Sequence, residues 1–134
     1  MASASLEGLR VYQVAEQLAD AIWNLVSNWQ GLARDSLGLE IVRAADNIGA
    51  SIAAGFGRGT YADNRRFARI ARGSHMEVKH CLRRAQARGI ISAAQLEKLQ
   101  PLMRQLPVNL NAYLKAIAKN SRPAVREATS DRFR

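Results

Sequence analysis

The sequence predicts an all-α fold, an antiparallel up-down-up-down four-helix bundle. Three observations carry this. Four segments repeat apolar residues at spacings of three and four, short connectors separate them, and no segment alternates as a strand does. A length of 134 residues suits one domain, expected over residues 1–120, with a mobile basic tail over 121–134.

The first helix is expected over about 9–29, where Val11, Val14, Leu18, Ile22, Leu25 and Trp29 share one face. Gln30-Gly31 ends it, and Asp35 or Ser36 is placed to cap the second, over about 37–56. Ile41, Ala45, Ile48, Ile52 and Phe56 form its apolar stripe. Ala44, Gly49, Ala50, Ala53 and Ala54 make its lining small enough for a neighbouring helix to come close. Thr60-Tyr-Ala-Asp63 resembles a capping box and opens the third helix, over about 61–88, which Gly89 stops. At 100° per residue, Phe67, Ile70, Ala71, Ser74, Val78, Cys81, Leu82 and Ala85 fall on one arc of it. Ser92-Ala-Ala-Gln95 is a capping box for the fourth helix, over about 93–119. Leu96, Leu99, Met103, Leu106, Leu110, Tyr113 and Ile117 make its seam. Pro101 and Pro107 lack amide donors and predict a bent helix rather than two elements.

Charge is the most informative part of the composition. Twenty Lys and Arg against eleven Asp and Glu give a net charge of +9, which favours polyanionic partners. Residues 1–60 hold four basic and six acidic side chains, whereas residues 61–91 hold eight basic and two acidic. The excess therefore begins behind the glycines of IAAGFGRGTYADNRRFARIARGS. No apolar run approaches the ~20 residues of a membrane span, and the N-terminus has no secretory pattern. A soluble cytoplasmic protein is expected, without membrane contact.

Gly55, Gly57 and Gly59 raise the question of a phosphate cradle. Their spacing matches neither G-x-G-x-x-G nor a P-loop, and a helix rather than a strand precedes them. A structural turn is the better reading, with Gly57 and Gly59 supplying left-handed or crowded backbone. The amides at the start of the third helix, with Arg58, remain a candidate anion contact. His75 and His80 are five apart, about 140° on a helix, so they do not converge and are expected at the surface or rim. The single cysteine, Cys81, is expected in the core and excludes an internal disulfide. Glu16 and Asp20, four apart, would serve as an acid–base pair or a cation site, but exposed carboxylates pairing with arginines are commoner. No catalytic residue, metal site, cofactor or small-molecule substrate is expected.

The remaining feature is a cationic face opposite the apolar arc of the third helix, formed by Arg65, Arg69, Arg72, Lys79, His80 and Arg83, with Arg66 and Arg84 at its margin. One reading is a solvated face paired with Asp20, Glu40, Asp46 and Glu77, with Arg43 and Arg72 as structural ion-pair partners. The cations exceed the local acids, however, and an array at i, i+4, i+7 can follow a phosphate backbone. With no aromatic platform, sequence-tolerant binding of RNA or DNA is expected. The candidate binding residues are Arg58, Arg65, Arg66, Arg69, Lys79, Arg83 and Arg84.

Leu9-Arg-Val-Tyr-Gln-Val-Ala, Ile41-Val-Arg-Ala-Ala-Asp-Asn-Ile, Ile52-Ala-Ala-Gly-Phe-Gly-Arg-Gly, Arg69-Ile-Ala-Arg-Gly-Ser and Gly89-Ile-Ile-Ser occur in that order. As a set, over about residues 6 to 118, they resemble the 23S rRNA intervening-sequence proteins. The resemblance implies a four-helix bundle that assembles as a ring-shaped homopentamer, and it carries over no catalytic residue. Accessory variability proteins of diversity-generating retroelements, which work with a reverse transcriptase, share that fold, assembly and basic character. The chain departs from the main family's usual pattern at Val42, Gly49, Ser51, Ala54 and Lys79, and its added positive charge moves it towards the accessory type. The alternative is a structural or protein-interaction bundle, whose arginines serve subunit contacts.

Overall fold

The computed structural model describes residues 5–120, with the side chain of Asn120 left aside; the expected tail over 121–134 lies outside them. Four long helices make up the described chain, and no strand occurs among the described residues: α1 (Arg10–Val26), α2 (Leu39–Arg58), α3 (Tyr61–Ala87) and α4 (Ala93–Asn120). Each packs on two others, α1 on α2 and α4, and α3 on α2 and α4, so the four close around one core. Neighbours run in opposite directions. Asn47 meets Ser74 while Gly55 meets Phe67, and His75 meets Met103 while Asn64 meets Tyr113.

The core is the predicted one in most of its length. Val11, Val14, Leu18 and Ile22 from α1 and Ile41, Ile48 and Ile52 from α2 are buried together. They meet Ala71, Val78 and Leu82 from α3 and Leu99, Leu106 and Leu110 from α4. Ile70 differs: it sits at the edge of its arc and is exposed. Ala50 is exposed as well, so the small lining of α2 is only partly an interface.

The connection between α1 and α2 is tighter than expected. The first helix ends at Val26, and Trp29 stays buried although it lies beyond the helix. Helical structure resumes at Gly31–Ala33 and passes through a wide π-helical turn, Arg34–Gly38, directly into α2. Neither Asp35 nor Ser36 therefore caps anything. Ser36 donates instead to the Leu32 carbonyl, as serines inside helical turns do.

The glycine run also needs correction. Gly55 and Gly57 are helical, because α2 continues to Arg58, and Gly59 alone makes the turn at φ +81°. Crowding falls on Gly55, not Gly57: a Cβ there would lie 3.1 Å from the Phe67 Cβ and 3.2 Å from the Asn64 Cα. Nothing lies near a Cβ built on Gly57. Thr60 then caps α3 through its Oγ1, which accepts from the Asp63 amide at 3.1 Å. Asp63 turns its carboxylate to the Thr60 hydroxyl rather than to the Thr60 amide, so the box is half made. At the far end, α3 closes with Ile90 donating to Ala85 and Gly89 to Gln86, the paired bonds of a Schellman motif. The Ser92–Gln95 box is complete, with both reciprocal bonds present at 2.9 and 3.1 Å.

α4 is a single helix through both prolines. Without an N–H, Pro107 leaves the Met103 carbonyl without its intrahelical donor. His75 of α3 fills the gap, its Nε2 lying 2.8 Å from that oxygen. The histidine expected at the rim is thus buried, because a proline on the neighbouring helix created an acceptor that only a buried donor could satisfy. Replacing Gly55 with Val is expected to lower stability by about 1–3 kcal/mol, since neither the Asn64 backbone nor the Phe67 Cβ can retreat. The urea midpoint, compared with that of Gly57→Ala, checks this.

Candidate nucleic-acid interface

α3 packs through a mostly short-chained arc, with Ala68, Ala71, Ser74, Val78, Cys81 and Ala85 all buried. Small residues bring the helix close against α2 and leave more than half its circumference in water. Arg65, Arg66, Arg69, Arg72, Lys79, Arg83 and Arg84 are exposed there. From Arg65 to Arg84 the helix rises about 28 Å.

The candidates do not form one even stripe. Arg58, Arg65, Arg66 and Arg69 gather at the turn end. Arg58 and Arg66 both lie over the Phe67 ring, at 5.3 and 4.5 Å from its centroid, and Arg66 also pairs with Asp63 at 3.4 Å. These cation–π contacts hold two guanidiniums in place without neutralising them. Lys79, Arg83 and Arg84 gather at the other end, separated from the first group by Gly73 and the exposed Met76.

The structure also changes the expected pairing. Arg72 bonds the Asn111 Oδ1 at 2.7 Å, not a carboxylate, and Arg43 makes no ion pair among the described residues. The ion pairs found among the described residues are Arg34–Asp35 and Arg66–Asp63. Arg65, Arg69, Lys79, Arg83 and Arg84 have none. Glu16 and Asp20 face another way, sharing a shallow groove between α1 and α2 with Tyr12, Asp46 and Gly49. The α3 amides offer less to an anion than expected, because Thr60 occupies that of Asp63 and Arg58 is drawn onto Phe67.

A cleft of about 290 Å³ opens between the Lys79–Gln86 stretch of α3 and the facing side of α4. Lys79, Leu82, Arg83 and Gln86 line one wall, and Leu96, Gln100, Met103 and Arg104 the other, with His75 between them. Sequence reading missed Arg104, Gln86 and Gln100. Arg104 follows Met103 of the apolar seam directly, which places it on the flank of α4, but only the pairing of α3 with α4 shows what it faces. Burial holds the His75 imidazole below its usual pKa, the bond to Met103 opposes this, and nearby Lys79 adds to the depression. The carbonyl can only accept, so Nε2 carries a proton, and the burial that lowers the pKa favours the neutral ring at pH 7. Burial raises the Cys81 thiol, helped by Glu40 and Glu77, which suits the expected core residue.

The sequence profile of the 23S rRNA-intervening sequence proteins matches residues 7–112. The chain belongs to that family. The matched region contains α1, α2, α3 and most of α4, and with them every candidate cation from Arg58 to Arg84 and every residue of the cleft. No curated protein matches the chain at a significant level. No helix among the described residues is long and apolar enough to cross a membrane.

His75 gives a pH test of the α3–α4 contact. Its folded pKa lies below the unfolded value near 6.5, so the unfolded chain takes up the proton first as pH falls. Stability is full above about pH 6.5 and declines on acidification from there towards the folded value. Urea midpoints should fall between about pH 7.5 and 5.5 in the native protein, and His75→Gln should flatten that decline.

Proposed function

We propose that this protein is a non-enzymatic bundle that binds RNA or DNA electrostatically and works in the cytoplasm as a ring-shaped homopentamer. One observation carries the reading: six of the exposed cations on α3, Arg65, Arg69, Arg72, Lys79, Arg83 and Arg84, make no ion pair among the described residues, although the chain supplies eleven carboxylates. Cations arranged for stability alone are expected to meet acids on neighbouring helices. These project from a rigid helix into solvent, where a polyanion can collect them. In a narrower form of the same reading, the protein assists a reverse transcriptase of a diversity-generating retroelement. Its basic excess and its departures from the main family's pattern support that form.

A second reading is favoured by the groove holding Glu16, Asp20 and Asp46. In it the groove receives the α3 cations of an adjacent copy, and the arginines serve subunit contacts with no nucleic-acid role. Under the first reading, replacing Arg65, Arg69 and Arg83 with Gln weakens oligonucleotide binding and reduces its log–log salt slope by about 2–3. Filter binding across a salt series measures both quantities, and an unchanged slope sinks the reading. Under the second, the native protein retains no oligonucleotide at physiological salt, and light scattering finds the triple variant dissociated.

A further inference from the structure

We propose that the cleft between α3 and α4 receives the base of one unpaired nucleotide, while Lys79, Arg83 and Arg104 hold the phosphates beside it. This rests on the nucleic-acid reading and narrows it to single strands. At about 290 Å³ the cleft falls at the lower end of the range of ligand pockets, sized for a single ring system. Leu82, Leu96 and Met103 supply an apolar floor, and a thioether is a favourable neighbour for an aromatic ring. The Gln86 and Gln100 amides each offer donors and an acceptor, the mixture that base edges require.

Charge complementarity selects the ligand further. No carboxylate lines the cleft, and Lys79, Arg83 and Arg104 make no ion pair among the described residues. His75 adds no positive charge, since its imidazole is neutral and its Nε2 proton is committed to Met103. An apolar floor inside a cationic rim fits a ligand with a flat uncharged body and anionic flanks. A nucleotide within a strand has that form. The guanidiniums of Arg83 and Arg104 provide planes on which a base can stack, so the lack of an aromatic platform does not remove base contact. A duplex keeps its bases stacked and paired, and it reaches only the exposed cations of α3.

Fluorescence anisotropy at physiological salt tests this with three probes: a single-stranded oligonucleotide, its abasic counterpart of equal length, and the blunt duplex. The native protein is expected to bind the natural strand about tenfold more tightly than the abasic one. Gln86→Ala with Gln100→Ala removes both edge-reading amides while keeping the apolar floor and every cation, so it should cut that preference several-fold. Equal affinity for natural and abasic strands overturns the cleft assignment but leaves the electrostatic reading standing. A folded Gln86→Ala, Gln100→Ala protein that keeps the full preference overturns the assignment too. Failure of the native protein to bind any of the three overturns both.

Discussion

The close approach of α2 and α3 is the constraint on which the other features depend. It is possible because Gly55 faces the Phe67 Cβ and the Asn64 backbone, and because α3 turns mainly Ala, Ser and Cys inward. Two consequences follow. The connection can be as short as Gly59 and Thr60, which fixes where α3 begins and how it is rotated. A helix so lightly embedded also presents a wide solvent face, and that face holds the arginines. Phe67 joins the two consequences, since its Cβ packs on Gly55 while its ring carries Arg58 and Arg66.

A second constraint fixes α4. Asn64 donates to the Thr60 carbonyl and accepts from the Tyr113 hydroxyl at 2.6 Å, tying the α2–α3 turn to the end of α4. Half a helix away, His75 takes the Met103 carbonyl that Pro107 leaves open. Arg72 adds a third link, to Asn111. The three contacts prevent α4 from sliding along α3 and so set which side chains meet across the cleft. Proline inside a helix commonly costs about 3 kcal/mol, and here the carbonyl it exposes becomes a docking point for the neighbouring helix.

Helices with a strong three-and-four repeat were legible in the sequence because their burial follows from period alone. The Ser92–Gln95 box and the stop at Gly89 were legible for a similar reason, since each is made within a few residues. What escaped depends on partners distant in the chain. Periodicity places His75 beside the apolar arc but says nothing of a freed carbonyl 28 residues away. Arg104 appears as an ordinary flank residue until α3 lies alongside it. The Gly55–Gly57–Gly59 spacing misled in a different way: glycine suggests a turn, yet one of the three is needed for packing and one for backbone sign. The cationic face was visible as composition and period, while its division into two clusters required the positions of Phe67 and Met76.

The separation of acidic and basic groups has a kinetic side. Glu16, Asp20 and Asp46 lie on the α1–α2 side, and the free arginines project from α3 with Arg104 beside them on α4. Among the described residues charge is therefore uneven across the bundle, in addition to the net charge. In the field of a polyanion such a molecule experiences a torque before it makes contact. It is turned with α3 forward, the orientation that the proposed binding of a polyanion uses.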